Sequence, residues 1–329
     1  MHLFRLGYGN RRRTCCVKYA AVLNLLLSIW CCNVASASQN IIVISSSSLP
    51  AYQQAGKALG RQLQKNGLSS IYPTQFLLLD EITAKAAASV NTGDTVVVTI
   101  GSAAADYAVR HFVDALIICS FITRNAFAAI SADLPATHTV TAVFIDQPIK
   151  RLIKLSMLLR KDQSPYQIGL LSQRALPVQN IVNELSEPDY ILEVNAKTLS
   201  LDENPIRQIE PIMKSSDVFI IRPDTSLFNR LVAKLVLQLS MRYKTPVIGF
   251  SQKYAKAGAL LSLYASPENI GQDTGNLLNE WLRVPLRLMP VPRDGEQFSL
   301  VVNQRIARKL GIEINPEELT AILQNTGGK

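Results

Sequence analysis

The chain has 329 residues, 48% of them hydrophobic and 18% charged, with a formal net charge of +9. That length and apolar content are enough for two domains with cores of their own, and they exclude a disordered or fibrous chain. The basic balance does not mark a nucleic-acid surface: Arg5, Arg11, Arg12, Arg13 and Lys18 stand in an opening segment without acids, and 29 basic against 25 acidic residues follow it.

Residues 1–37 read as a secretory signal, with a basic start, an apolar core and a small-residue end. The core, Tyr19 to Trp30, is shorter than the roughly 20 residues a membrane-spanning helix needs. Ala35-Ser36-Ala37 supplies the small residues of a cleavage site, so Ser38 is expected to open a mature periplasmic chain. A lipoprotein modified at Cys31 or Cys32 is the rival reading, opposed by Trp30 where a small residue is required; an uncleaved anchor is another. The run Arg11-Arg12-Arg13 also fits twin-arginine export. Four of the five cysteines lie in this leader. Cys119 alone follows it, in the apolar run Ala115 to Ser120, so no disulfide framework is possible and the thiol reads as core.

Past the leader, short β-branched runs alternate with helical spacing. Ile41 to Ile44 reads as a strand, followed by Ser45-Ser46-Ser47-Ser48 and a helix from Pro50 to about Asn66 that Gly67 stops. Phe76 to Leu79 is a second strand, Ile82 to Ser89 a short helix, and Thr95 to Ile100 a third strand. Gly101-Ser102-Ala103 then opens a helix to about Phe112, and Ala115 to Ser120 is the fourth strand. Residues 121–139 break the rhythm. Strands at Thr141 to Ile145, Gln167 to Leu171, Tyr190 to Val194 and Asp217 to Ile221 then alternate with helices at Gln147 to Arg160, Leu176 to Leu185, Asn204 to Lys214 and Leu227 to Tyr243. Two doubly wound halves result. The expected division is lobe one at 38–122 plus 266–288, a crossing at 123–139, lobe two at 140–264 plus 290–318, and a tail at 319–329.

The stretch from Thr245 to Leu282 carries the most information. Pro246 to Phe250 and Leu260 to Tyr264 read as strands around the small-residue turn Ala257-Gly258-Ala259. Ser266-Pro267-Glu268 then starts a helix to Arg283, with Ser as N-cap and Pro in its first turn. Ile270, Leu277, Leu278, Trp281 and Leu282 form one face of that helix, and Gly271 and Gly275 stand four apart where a neighbour can approach closely. This order, with Phe298 to Asn303, Ala307 to Ile312 and Ile314-Asn315-Pro316 after it, resembles the substrate-binding proteins of a poorly characterised ABC transporter class. The resemblance is strong from Asp217 to Pro316 and looser before it. It implies an α/β fold of two Rossmann-like lobes with parallel sheets, in type I periplasmic-binding-protein architecture. It also implies a small-molecule ligand such as an aromatic amino acid, and an ABC permease as partner.

In such sheets ligands sit beyond the carboxyl ends of the strands. That rule picks out Ser46, Ser47, Ser48, Gly101, Ser102 and Phe121 from lobe one, and Asp146, Asp224, Thr225 and Ser251 from lobe two. Hydroxyls at a helix N-terminus can hold a carboxylate, and Asp224 can hold an ammonium. Each position has a plainer reading: Ser46 to Ser48 and Ser102 as caps, Gly101 as a turn, Asp146 and Asp224 as caps of the helices that follow. The family commonly carries P-x-D or x-D after an apolar strand and before a helix, and Pro223-Asp224 matches at that place. Where many relatives carry D-P-V after the fourth strand, this chain has Ser120-Phe121-Ile122-Thr123-Arg124-Asn125, so pocket chemistry does not transfer there. Phe121, Phe250 or Tyr254 is available to stack on an apolar ligand group. Only His111 and His138 follow the leader, without metal-ligand spacing, a G-x-S-x-G elbow or a carboxylate pair, so neither an enzyme nor a cofactor site is expected. The expected function is therefore an exported solute-binding protein of an ABC-type uptake system. The alternative is a sensory or envelope accessory module on the same fold, serving a receptor kinase or an outer-membrane receptor.

Overall fold

The computed structural model describes residues 40–82, 95–135, 137–160, 165–172, 178–185, 192–198, 203–223, 229–283 and 290–326. The leader, with Ser38, and most of the expected helix at Ile82 to Ser89 lie outside them. The chain opens with β1 (Asn40–Ser45), α1 (Pro50–Lys65), β2 (Thr74–Leu78), β3 (Thr95–Ile100), α2 (Ser102–His111), β4 (Leu116–Ile122), α3 (Arg124–Ser131) and β5 (Thr139–Phe144). It continues through α4 (Ile149–Met157), β6 (Tyr166–Ser172), α5 (Val178–Leu185), β7 (Leu192–Thr198), α6 (Pro205–Ser215), β8 (Val218–Ile220), α7 (Arg230–Tyr243), β9 (Val247–Gly249), α8 (Gln252–Ala257) and β10 (Leu261–Tyr264). α9 (Pro267–Arg283), β11 (Arg293–Asp294), β12 (Ser299–Val302), α10 (Gln304–Leu310) and α11 (Pro316–Thr326) close it.

These strands form two six-stranded sheets, ordered β11-β5-β4-β3-β1-β2 and β12-β10-β9-β8-β6-β7. The described pairings are parallel except β10 with β12. Parallel strands covered on both faces must be apolar on both. In β1, Ile41 and Val43 pack with Leu59, Leu63, Leu277 and Trp281 of α1 and α9. Ile42 and Ile44 turn to the other face, with Ala104 and Ala108 of α2 and Phe112 just past its end. The second sheet is sandwiched the same way, with Leu152, Ile153 and Leu323 on one face and Ile212, Val236 and Leu239 on the other. Cys119 is buried in the first sheet, where loss of solvent pushes its thiol up to about 12. A thiol so placed is inert: a thiol reagent at pH 8 should label the folded protein at a small fraction of the rate seen in denaturant, and equal rates would place Cys119 at the surface.

Several elements sit differently from the sequence reading. The stretch 123–139 is not a crossing: Thr123 caps α3 by accepting the Ala126 N–H at 3.2 Å, and Ala126, Phe127 and Ile130 of α3 pack on the first sheet. β5 belongs to the first sheet beside β4, not to the start of the second, and β11 joins it there. The chain crosses between sheets at 145–148, 265–266 and 295–298, where elements of one sheet give way to those of the other. The expected tail is largely α11, whose Leu319 and Leu323 are buried in the second core. A short strand looks alike in either sheet; its place follows from which neighbours remain unpaired.

Candidate functional site

The first sheet's hydrogen-bond ladder runs one residue past its strands. Ser46 N–H donates to Ile100 O at 2.9 Å, Gly101 N–H to Ser120 O at 2.9 Å, and Ile145 N–H to Ile122 O at 3.0 Å. Ser46, Gly101 and Phe121 therefore meet at one carboxyl end of this sheet. Ser46 Oγ accepts the Ala104 N–H at 2.8 Å, capping α2 from another strand's loop. Ser45 Oγ donates to Ser47 O at 2.8 Å, and Ser47 Oγ accepts the Leu49 N–H at 3.2 Å, so the serine loop is tied to itself. Ser48 and Ser102 are exposed.

Gly101 has φ 98, a region L-residues rarely occupy, and a Cβ there would lie 2.5 Å from the Tyr52 ring and 2.7 Å from Ser46 Oγ. Phe121 has φ 54 without being glycine, within the register shift of β4 between Cys119 and Ile122. Its half-buried ring meets Tyr52 edge-on, centroids 5.2 Å apart. A bulky residue held in the left-handed region costs on the order of 1–3 kcal/mol and clusters at functional sites. Tyr52, one turn into α1, completes this aromatic pair; the sequence reading counted only the buried face of α1 and missed it. Its signal was position, an aromatic residue a few places after the strand-end serines. Along the same edge a groove of about 560 Å³ runs between α1 and β2, lined by Ser47, Ser48, Tyr52, Gly56, Phe76 and Leu78.

In the second lobe Ser251 is half-buried at the N-cap of α8, its side chain making no capping bond. Beside it Phe250 and Tyr254 lie with ring centroids 4.8 Å apart. Asp224 and Thr225 lie outside the described residues. Asp146 is buried, and its Oδ2 accepts the Arg124 N–H at 2.7 Å. It thus caps α3, not the helix that follows it in sequence. Burial raises its carboxyl above the usual range, against the Arg124 N–H and the nearby Arg222 and Arg124 charges; Asp294 adds to the rise. A carboxylate so engaged is a fixture of the crossing.

Polar contacts tie the crossing segments together. Ser266 and Asn269 cap one another reciprocally, Ser266 N–H donating to Asn269 Oδ1 at 2.9 Å and Asn269 N–H to Ser266 Oγ at 3.1 Å. Ser299 Oγ also donates to Asn269 Oδ1, at 2.9 Å, joining α9 to β12. Arg151 donates to Gln147 Oε1 at 2.8 Å and to Gly295 O at 3.3 Å, and lies over the Phe298 ring. Arg124 pairs with Asp294 at 2.6 Å. Asp273, buried on α9, accepts the Gln297 N–H at 3.1 Å. The sequence signal for Asp273 was an acid on the apolar face of α9, where a charge must find partners.

Two mostly parallel sheets joined by crossings at 145–148, 265–266 and 295–298 define a two-lobed α/β fold. A family model described as ABC transporter substrate binding protein matches residues 79–325, and the chain belongs to that family. Among solved structures, a substrate-binding protein with adhesive properties from Clostridium difficile, in its ligand-free open form, has 18% identity and a TM-score of 0.59, covering 85% of this chain and 97% of its own. A conserved domain protein from Vibrio cholerae has 20% identity and a TM-score of 0.50, over 86% and 98%. An ABC domain from Streptococcus pneumoniae, in complex with L-Trp, has 20% identity and a TM-score of 0.48, over 86% and 98%. No curated protein matches the sequence. Among the described residues no helix is long and apolar enough to cross a membrane.

Proposed function

We propose that this protein is the exported solute-binding component of an ABC-type uptake system, taking a small molecule such as an amino acid with an apolar side chain between its lobes. The reading rests most on the strained Phe121, its ring against Tyr52 above Gly101. The aromatic pair stacks on the apolar part of the ligand; Ser46, Ser47, Ser48, Ser102 and, from the other lobe, Ser251, with Asp224 and Thr225, offer polar contacts. Asp146 contributes by holding the crossing. A ligand that touches both lobes favours the closed form over the open one, and the permease reads that difference.

The test is a thermal-shift screen of amino acids and other small solutes, followed by calorimetry. A ligand at a hundredfold excess over its Kd stabilises by about 2.7 kcal/mol, a readable rise in melting temperature. Tyr52→Ala should then weaken that ligand at least tenfold. Unchanged affinity in the variant would remove the aromatic pair from the site. Export is checked separately: the protein recovered from the envelope should begin at Ser38, and a retained Met1 or a lipid on Cys31 or Cys32 would contradict it.

A further inference from the structure

The second lobe carries an apolar trough lined by none of the residues to which the proposed function gives a ligand contact. On α7, Ala233, Leu237 and Met241 recur every four residues and line the floor of a trough open to solvent, of about 730 Å³. Tyr254 and Ala257 of α8 form its opposite wall. From Arg230 to Met241, eleven residue steps, the α7 face is roughly 16 Å long at the usual helical rise. Beside it Leu231 is 71% exposed. Arg230, Lys234 and Lys253 stand at the lining, and no acid is among the lining residues.

Those three cations line an apolar trough without a carboxylate beside them, unlike the basic groups held in ion pairs. Arg61, Arg110, Arg124, Lys150, Arg242 and Arg293 each pair with a carboxylate. Arg230, Lys234 and Lys253 have no acidic partner among the described residues. A small-molecule site encloses most of its ligand; this trough between two helices stays open and suits an elongated occupant. Apolar positions at i, i+4 and i+8 on the floor are what a second amphipathic helix packs against. The unpaired cations fix the sign of its flanks.

We propose that the α7–α8 trough is a docking surface for an amphipathic helix of a protein partner, with an apolar stripe flanked by Glu and Asp. The proposal does not depend on the identity of the solute. Selection of a displayed library of amphipathic helical peptides against the purified protein tests it. Enriched peptides should carry a Leu, Met or Phe stripe with acidic flanks. A labelled winner should bind with an anisotropy change that Lys234→Glu with Lys253→Glu weakens at least tenfold, and that added salt also weakens. Both lysines are exposed, so the double variant should keep the parent melting temperature. No enrichment, enrichment of basic or neutral helices, or a winner indifferent to the double variant would each overturn the proposal. So would binding to phosphatidylglycerol vesicles that the double variant abolishes while no peptide is enriched, since the surface would then serve a membrane.

Discussion

Gly271→Ala should lower the melting temperature of this protein, while Gly60→Ala, the same change on the facing helix, should raise it. In the open interior of a helix, alanine is better than glycine by about 0.8–1 kcal/mol. Gly60 of α1 is close to that case, because an added Cβ would meet only the Phe76 ring at 3.5 Å, an ordinary contact. Gly271 of α9 is the opposite case. A Cβ there would lie 2.3 Å from Ala55 O, 2.7 Å from Ala58 Cβ and 2.8 Å from Leu59 N. Two of those three atoms are backbone, so relief requires α1 and α9 to move apart, and with them the core that joins both helices to the first sheet. Overpacking of this kind costs typically 1–3 kcal/mol, more where the backbone cannot yield. Gly271→Leu adds three carbons to the same clash and should cost about 3–5 kcal/mol, enough to unfold a marginally stable lobe. Thermal melts of the three variants beside the parent decide the matter. A Gly271→Ala midpoint at or above the parent's would mean that α1 and α9 do not approach as closely as stated.

The glycines of α9 were legible in the sequence because close approach needs a missing side chain, a local property. The strands were legible for a similar reason: β1 and β3 are β-branched runs between turn residues, and both faces of each are covered. Sheet membership was not legible. β5 has the same character as any other buried strand, and only the completed order places it beside β4. The candidate site divides along the same line. The strand-end rule could name Ser46, Gly101 and Phe121 as positions at one end of a sheet, since it needs only where strands stop. It could not tell which polar groups are already engaged. The Ser46 hydroxyl caps a helix that begins 56 residues later, and Asp146 caps one that begins 22 residues earlier. Such pairs exist only once the sheet order has brought their strands side by side. Tyr52 was missed because helical periodicity scores the buried face, and Tyr52 lies at its edge.

Replacing Asp273 with asparagine should stabilise the protein near neutral pH and do nothing below pH 4. The residue is only 2% exposed, on the face of α9 that meets the segment 295–298. Its Oδ2 accepts the Gln297 N–H at 3.1 Å, and a Cβ on Gly295 would approach that oxygen to 2.9 Å. Oδ1 meets no donor among the described residues. Burial is the main reason its carboxyl is pushed up to about 6; the Gln297 and Glu296 N–H groups and Arg293 pull it down, and Glu296 pushes it up. Arg151 of α4 faces it as well, with Asp294 also near that guanidinium. A carboxyl whose folded value lies above its unfolded value of about 3.9 favours folding while protonated. Its contribution is fully present below pH 4 and is lost as pH rises through about 6. Two units correspond to about 3 kcal/mol, an upper bound because other groups relax. Asparagine keeps the shape and an acceptor for the Gln297 N–H but never ionises, so it removes this penalty. The variant-minus-parent difference should be near zero at pH 4 and grow to about 2–3 kcal/mol at pH 7.5, with most of the rise between pH 4 and 6.5. Denaturant melts of both proteins at half-unit pH steps measure that difference directly, since groups common to both cancel. A difference independent of pH, or a parent more stable than the variant at pH 7.5, would show that the crossing stabilises the ionised carboxylate instead.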